Sequence, residues 1–399
     1  VRNDTTGGAT AGGGLNMSSG GSLTANIYAG STGTSCVTWA GSAGQTATIT
    51  GQFFGGSGSG HAINCTGGNL TIGGGSATTG GTGSGSSAGI NFASSGGTFT
   101  FCTAGNPGPV TNGTSSSTGA SGITISSTLV NISIYATTIT SNATGAAAAL
   151  ILNASTSSGT ITVQTISNSN ALSGSIFAQG ASPNYSIIVS GNITGVTGNG
   201  GIAIYCNYAS GSVSITCGGL ITSGSGTSAC TIQNVNNGSV FITGSVTGTT
   251  NVTPVLNSSS GTVSITGSVT AGSLSSGANN VSTGIMRVTR AIGNGFGLGS
   301  VGVNNVAAVV SNVSGSLTYV EQLQFGSLGN TPVSGPIRLT DNTGNVCQMV
   351  TTTGSIKTLV DTAATAGVLP AATDVRSGTV YASGNRTGTL AVPAASNVA

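Results

Sequence analysis

The segments GSVSITCGGL (residues 211–220), GSVFITGSV (238–246) and GTVSITGSV (261–269) share one pattern, in which a glycine precedes alternating apolar and hydroxyl residues. Such alternation is typical of a β-strand with one buried face. Related strand patterns occur earlier in GTITVQTI (159–166) and YSIIVSGNI (185–193). The five starts lie 26, 26, 27 and 23 residues apart. Short strands that recur at a period in the twenties predict a solenoid of stacked coils.

A second short strand is predicted before each of these segments. The five are ALIL (149–152), IFA (176–178), IAIYC (202–206), CTI (230–232) and PVL (254–256). Similar short strands continue upstream with looser spacing, which indicates a solenoid that begins near residue 35. The arrangement resembles the parallel β-helix family. We therefore predict an all-β chain with roughly ten coils and a rod about 50 Å long, at about 4.8 Å per coil.

Three asparagines recur at the same place relative to the strands. Asn207, Asn234 and Asn257 each lie four residues before the glycine that opens the next strand of their own coil. Amide side chains that stack along a solenoid can bond to one another and to the backbone of the turns. We therefore predict a structural ladder of these three residues at one corner.

The seven cysteines are widely spaced and form no CxxC pair, so the sequence predicts no zinc site. Our first hypothesis is that they are small buried apolar residues, because free cysteine is among the most buried residue types. The alternative is a disulfide between neighbouring coils. Cys206 and Cys230 are the best candidates, because they lie 24 residues apart, close to the length of one repeat.

Charge is missing from most of the chain. No Asp, Glu, Lys or Arg occurs from Thr5 to Met286, and His61 is the only histidine. Acid–base and metal-assisted catalysis need such groups around a cleft, so we expect no enzyme activity, no metal and no cofactor. Nucleic acid is not an expected partner, because phosphate binding needs clustered Lys and Arg. No apolar run approaches the roughly 20 residues of a membrane-spanning helix.

Two further groups of residues are candidate functional sites. His61 has no acidic partner in the solenoid, and a histidine at a turn is favoured over a catalytic one. Five aromatic residues could form a surface on which sugars stack, but core or stacking positions are favoured: Trp39, Phe53, Phe54, Tyr205 and Tyr208. Some parallel β-helix proteins cleave polysaccharides, and that resemblance implies carboxylates on a sheet face, which this solenoid lacks.

The composition divides the chain into four parts. Residues 1–34 are expected to be an extended segment that can pair with another subunit, and residues 35–286 the uncharged β-helix. Charges return in residues 287–365, where SLTYVEQLQF (316–325) and its neighbours predict a small β domain of hairpins. Residues 366–399 are a repeat or linker. Within it, DVRSGTVYASGNRTGTL (374–390) resembles short repeats of phage tail fibres and of large bacterial surface proteins. Because the chain begins without Met, we expect it to be part of a longer product.

These features predict a non-catalytic structural subunit of an extracellular fibre, surface layer or adhesive appendage. Such a subunit would assemble with copies of itself through its termini and the ends of the β-helix, because uncharged terminal coils leave sheet edges unprotected. One alternative is a tail-fibre or spike protein on a virion that binds a host surface glycan. A polysaccharide-cleaving enzyme is the least favoured hypothesis.

Overall fold

A computed structural model describes residues 14–292, with gaps at 30–34, 57–59, 83–86, 114–119, 127, 129, 144–147, 154–156, 169–173, 196–200, 225–229, 250–251 and 273–277. Four further strands are described by their backbone, between residues 310 and 387. The chain forms two compact units, Val1–Val333 and Ser334–Ala399. All regular elements of the described residues are β-strands. The predicted all-β parallel β-helix is confirmed, because consecutive coils pair in parallel throughout the first unit.

Each coil contributes one strand to a twelve-stranded sheet, here called the first sheet. Strands are numbered in chain order. The first sheet contains β1 (Leu15–Met17), β4 (Val37–Ala40), β7 (Ile63–Gly67), β10 (Ile90–Phe92), β13 (Ile123–Ile125), β15 (Leu150–Asn153), β17 (Ile176–Gly180), β20 (Ile204–Tyr208), β22 (Cys230–Asn234), β24 (Thr253–Asn257), β26 (Ala278–Asn280) and β28 (Val310–Asn312).

The rest of each coil lies in a second sheet of 17 strands. Its strands are β2 (Gly21–Thr24), β3 (Ile27–Tyr28), β5 (Thr46–Thr50), β6 (Gln52–Phe54), β8 (Asn69–Ile72), β9 (Ala77–Thr79), β11 (Thr98–Phe101), β12 (Gly108–Thr111), β14 (Val130–Ser141), β16 (Ser157–Asn168), β18 (Asn184–Val189), β19 (Ile193–Thr194), β21 (Ser212–Thr222), β23 (Ser239–Thr247), β25 (Thr262–Thr270), β27 (Ile285–Ile292) and β29 (Leu317–Gln324).

In most coils, the part of the chain that belongs to the second sheet consists of a leading segment and a trailing segment. In five coils the two segments are separate strands, such as β5 and β6. In β23 and β25 the division falls at Gly244 and Gly267, whose φ angles are +149° and +150°. Glycine reaches such angles without the steric cost that a side chain would add. The alternation of buried and outward residues therefore restarts after the glycine.

The core consists of aliphatic columns that run through successive coils. Ile187, Ile215, Ile242 and Ile265 occupy the same register position in four neighbouring coils. All four are almost completely buried. Burying one such side chain contributes about 1.5–3 kcal/mol relative to leaving it exposed. The Val and Ile that alternate with hydroxyl residues in the sequence are thus the residues that hold the coils together.

The solenoid extends beyond both of its predicted boundaries. Leu15–Met17 already pairs in parallel with β4, and β2 pairs with β5. The prediction that residues 1–34 form an extended segment is therefore wrong for β1 to β3. Residues 1–13 lie outside the described part. At the other end β29 pairs in parallel with β27, which contradicts a hairpin in SLTYVEQLQF. The charges there do not disturb the coil, because Arg287 and Arg290 are exposed and the intervening Val288 is buried. Ten strands of the first sheet, β4 to β26, lie within 35–286, and the two extra coils raise the total to twelve.

The second unit is described only at one short antiparallel pair. The strands β30 (Val380–Tyr381) and β31 (Arg386–Thr387) pair within the predicted repeat region 366–399. Other segments predicted as hairpins between residues 336 and 361 lie outside the described residues.

Candidate functional surfaces

A buried ladder of amide side chains connects three successive coils. The Nδ2 of Asn234 donates to Oδ1 of Asn257 at 3.1 Å, and the Nδ2 of Asn257 donates to Oδ1 of Asn280 at 3.2 Å. All three side chains are fully buried. At the first end of the ladder, the buried Oδ1 of Asn234 has no hydrogen-bond partner among the described residues. The ladder therefore has a direction, with every donor pointing toward the later coil.

Each member also bonds to a backbone carbonyl of its own coil. The Nδ2 of Asn257 donates to the Gly261 carbonyl at 3.1 Å, and Asn280 donates to the Gly284 carbonyl at 2.9 Å. Glycine is required there because the chain passes very close to its neighbour. A Cβ at Gly261 would lie 2.4 Å from the Gly238 carbonyl oxygen and 2.8 Å from Nδ2 of Asn234. The spacing of Asn and Gly in the sequence is thus a packing requirement.

The prediction was wrong for Asn207, which is outside the ladder. Cys206, and not Asn207, is the register partner of Asn234. Asn207 is half-buried, and its Oδ1 accepts a hydrogen bond of 3.3 Å from Nδ2 of Asn236. The corner of this coil is one residue longer than the corner of the next coil. The buried ring of Tyr208 fills it, and the Tyr208 hydroxyl donates to the Ser239 carbonyl at 2.6 Å.

Asn280 was missed, although the sequence carries its signal. It lies four residues before Gly284, the same spacing that marked the other asparagines. The charges that begin at Arg287 had suggested that the solenoid ended nearby. The ladder is therefore made by Asn234, Asn257 and Asn280.

The proposed disulfide between Cys206 and Cys230 is wrong. Cys206 is in register with Asn234, whereas Cys230 pairs with Thr253 of the next coil, so the two cysteines lie at different positions along their strands. Both thiols are free and buried. Burial raises the pKa of Cys206 to about 12 and that of Cys230 to about 11. The other described cysteines, Cys36, Cys65, Cys102 and Cys217, are also free and buried, and Cys347 lies outside the described residues.

His61 connects its own coil to both neighbouring coils. Its Nδ1 accepts a hydrogen bond of 2.9 Å from the backbone N–H of Ala88, and its carbonyl accepts one of 2.9 Å from Cys36. Burial lowers the pKa of His61 to about 4. The imidazole is therefore neutral at pH 7, as its acceptor role at Nδ1 requires. Within the described residues, no cluster of His, Cys, Asp or Glu could hold a metal ion.

The aromatic residues weighed as a sugar-binding surface occupy two kinds of position. Trp39, Phe53 and Tyr208 are buried in the core. Phe54 stacks on Tyr28 of the previous coil with ring centres 4.7 Å apart, and Tyr205 stacks on Phe177 at 4.6 Å. Because each pair consists of register partners, the rings stack along the solenoid axis and cover each other's inner face. The two faces that the rings of each pair turn toward each other are therefore not accessible to a sugar.

A long column of hydroxyl residues runs along the outside of the trailing segments. Its members occupy one register position in eight successive coils and are here called the hydroxyl ladder. They are Thr79, Thr111, Thr140, Ser167, Thr194, Thr222, Thr247 and Thr270. Each is half-buried, except that Thr194 is exposed. This column was not predicted from the sequence, although most of its members follow a buried Val or Ile, as Thr270 follows Val269.

Comparisons with protein-family models, curated proteins and solved structures find no match. The fold alone defines the class, which is a parallel β-solenoid. No helix among the described residues is long and apolar enough to cross a membrane.

Proposed function

We propose that this chain is a non-catalytic structural subunit of an extracellular fibre, surface layer or adhesive appendage, and that it assembles with copies of itself through the ends of its solenoid. The observation that carries the proposal is the unpaired outer edge of the first coil. β1 is the terminal strand of the first sheet, so its outer edge has no partner strand among those described. Soluble proteins usually protect such edges with charges, proline or bulges.

The first coil has none of these protections in its strands. The sequences of β1, β2 and β3 are LNM, GSLT and IY, without charge or proline. Leu15 and Tyr28 are large apolar residues that remain 37% and 43% exposed there. A coil of another subunit would cover these side chains and complete the backbone hydrogen bonds of the edge. Self-association explains an edge that would otherwise promote uncontrolled pairing.

The absence of fixed charge from Thr5 to Met286 also supports an assembling role. Like-charge repulsion between subunits is minimal in such a rod, and general acid–base groups are lacking along it. We do not propose glycan binding as a second function, because the two rings within each outward aromatic pair stack on each other. An extracellular location accords with this composition and belongs to the same proposal.

A single substitution by proline distinguishes assembly through this edge from other modes of assembly. The N–H of Leu15 donates to Cys36 of the second coil at 2.9 Å, so the next N–H, that of Asn16, points to the open edge. Asn16→Pro removes that donor and spares the bond to the second coil. Asn16→Ala keeps the N–H and is the matched control.

Negative-stain microscopy and size-exclusion chromatography measure the outcome. We expect filaments or end-to-end oligomers for the wild type and Asn16→Ala, and shorter particles for Asn16→Pro with an unchanged β-sheet circular dichroism spectrum. A wild-type chain that stays monomeric at all concentrations would overturn the proposal. A measured turnover on a polysaccharide would overturn the non-catalytic assignment.

A further inference from the structure

The hydroxyl ladder has a regularity that assembly through the ends does not use. Parallel pairing holds Thr79, Thr111 and the six members that follow at one register position, without a break. Adjacent strands of a sheet lie about 4.8 Å apart, so the eight side chains span about 34 Å. The column is therefore a one-dimensional array of the same chemical group.

Part of a second column lies beside the ladder. Thr138 and Thr165 are register partners, and each lies two residues before a ladder member. Ser245 and Ser268 take the corresponding place in β23 and β25. Residues two apart on a strand are about 6.6 Å apart and face the same side. In these coils two columns of hydroxyl groups lie side by side, whereas the exposed Leu220, the register partner of Ser245, takes this place beside Thr222.

The side chains of this array are held in position. Threonine is branched at Cβ, which restricts its χ1 angle, and its backbone is fixed by pairing on both sides. Each ladder residue except Thr194 is half-buried against its neighbours. In the middle of the ladder, the hydroxyls of Thr140 and Ser167 lie 3.4 Å apart and bond to each other. A binding partner would not have to order these groups first.

The chemistry of the array restricts its partner. No charged residue occurs between the first and the last ladder residue, so a charged polymer finds no complement there. Each hydroxyl can both donate and accept hydrogen bonds, as water does. A rigid partner that repeats at the strand spacing is favoured for engaging all eight members, because a flexible chain would lose conformational entropy at every rung. The column also contains no aromatic ring on which a sugar polymer could stack.

We propose that the hydroxyl ladder binds ice. The threonine hydroxyls would substitute for water at one surface of the crystal, and their methyl groups would support the ordered water between them. An uncharged surface favours this, because a fixed charge imposes its own orientation on nearby water. This binding site is on the side of the solenoid, so it does not rest on the proposed assembly through the ends.

The test uses the purified full chain and two lysine variants. Thr222→Lys places a long charged side chain within the ladder, between Thr194 and Thr247. Gln233→Lys is the matched control, because Gln233 is also half-buried and belongs to the first sheet of the next coil. Thermal hysteresis, the gap between melting and freezing temperatures, reports ice binding. Partition of the protein into a slowly growing ice hemisphere reports it independently.

We expect hysteresis and ice partition for the wild type and Gln233→Lys, and loss of most of both for Thr222→Lys with an unchanged circular dichroism spectrum. If Thr222→Lys does not fold, Thr222→Val removes the hydroxyl at nearly constant volume and should reduce hysteresis. No hysteresis in the wild type overturns the proposal, and so does an equal loss in the ladder and control variants. Retention on crystalline cellulose without entry into ice would overturn it in favour of a neutral glycan.

Discussion

Replacing Asn257 by alanine removes the central member of the buried asparagine ladder. The substitution deletes the hydrogen bonds from Asn257 to the Gly261 carbonyl and to Asn280, and the one that Asn257 accepts from Asn234. A hydrogen bond in a protein contributes about 1 kcal/mol net, so the three bonds contribute about 3 kcal/mol. The cost should exceed this value, because the Oδ1 of Asn280 is left buried and loses that partner.

Asn207→Ala is the matched control, since the residue type and the distance from the following glycine are the same. Asn207 is half-buried and takes part in one side-chain bond of 3.3 Å, which predicts a loss of about 0.5–1 kcal/mol. The comparison isolates the effect of the ladder from the effect of removing an asparagine.

Guanidinium unfolding, followed by circular dichroism, measures both free energies. Because long repeat arrays can unfold in parts, hydrogen exchange of the strands β22 to β26 should accompany it. We expect Asn257→Ala to lower the midpoint several times more than Asn207→Ala and to speed exchange in these three coils. Equal destabilisation by the two variants would refute the reasoning, and so would unchanged exchange in the ladder coils.

Three other predictions concern the same solenoid. The free energy of unfolding should be at its full value above about pH 6.5 and fall by about 3 kcal/mol toward pH 4. Burial lowers the pKa of His61 from 6.5 to about 4, so only the unfolded chain binds the proton in that range. Thermal melts of the wild type and of His61→Asn, which keeps an acceptor but does not titrate, measure this dependence. Gly261→Ala should lower the melting temperature, because its Cβ would meet the Gly238 carbonyl at 2.4 Å, while Gly21→Ala, which has open space, should not. The six described cysteines should resist alkylation at pH 8 until the chain unfolds, as peptide mass spectrometry can show, because all are buried.

The sequence was sufficient for the fold, because the same side chains that alternate in the sequence form the columns of the core. Ile215, Ile242 and Ile265 each follow a valine by two residues, and that spacing alone places them on one face. The position of Asn207 could not be predicted in this way. Its register follows from a corner that is one residue longer than the corner of the next coil, and the buried ring of Tyr208 fills that corner.

The boundaries and the hydroxyl ladder were missed for different reasons. The first coil is short and rich in glycine, so its strands show too few alternations to be distinguished from a linker. At the other end, exposed arginines interrupted the charge-free composition without interrupting the coil. The members of the hydroxyl ladder are far apart in the sequence, and only the pairing of successive coils shows that Thr194, Thr222 and Thr247 form one column.

The direction of the asparagine ladder makes one coil interchangeable with the next. Asn257 receives a hydrogen bond from the preceding coil and donates one to the following coil, so its own coil has the same connections on both sides. The stretch from Gly238 to the residue before Gly261 is 23 residues long and pairs in register with its successor. A gene that duplicated this stretch would add one rung without leaving a further buried amide unpaired. The length of the rod is therefore a quantity that evolution, or an engineer, can change by whole units.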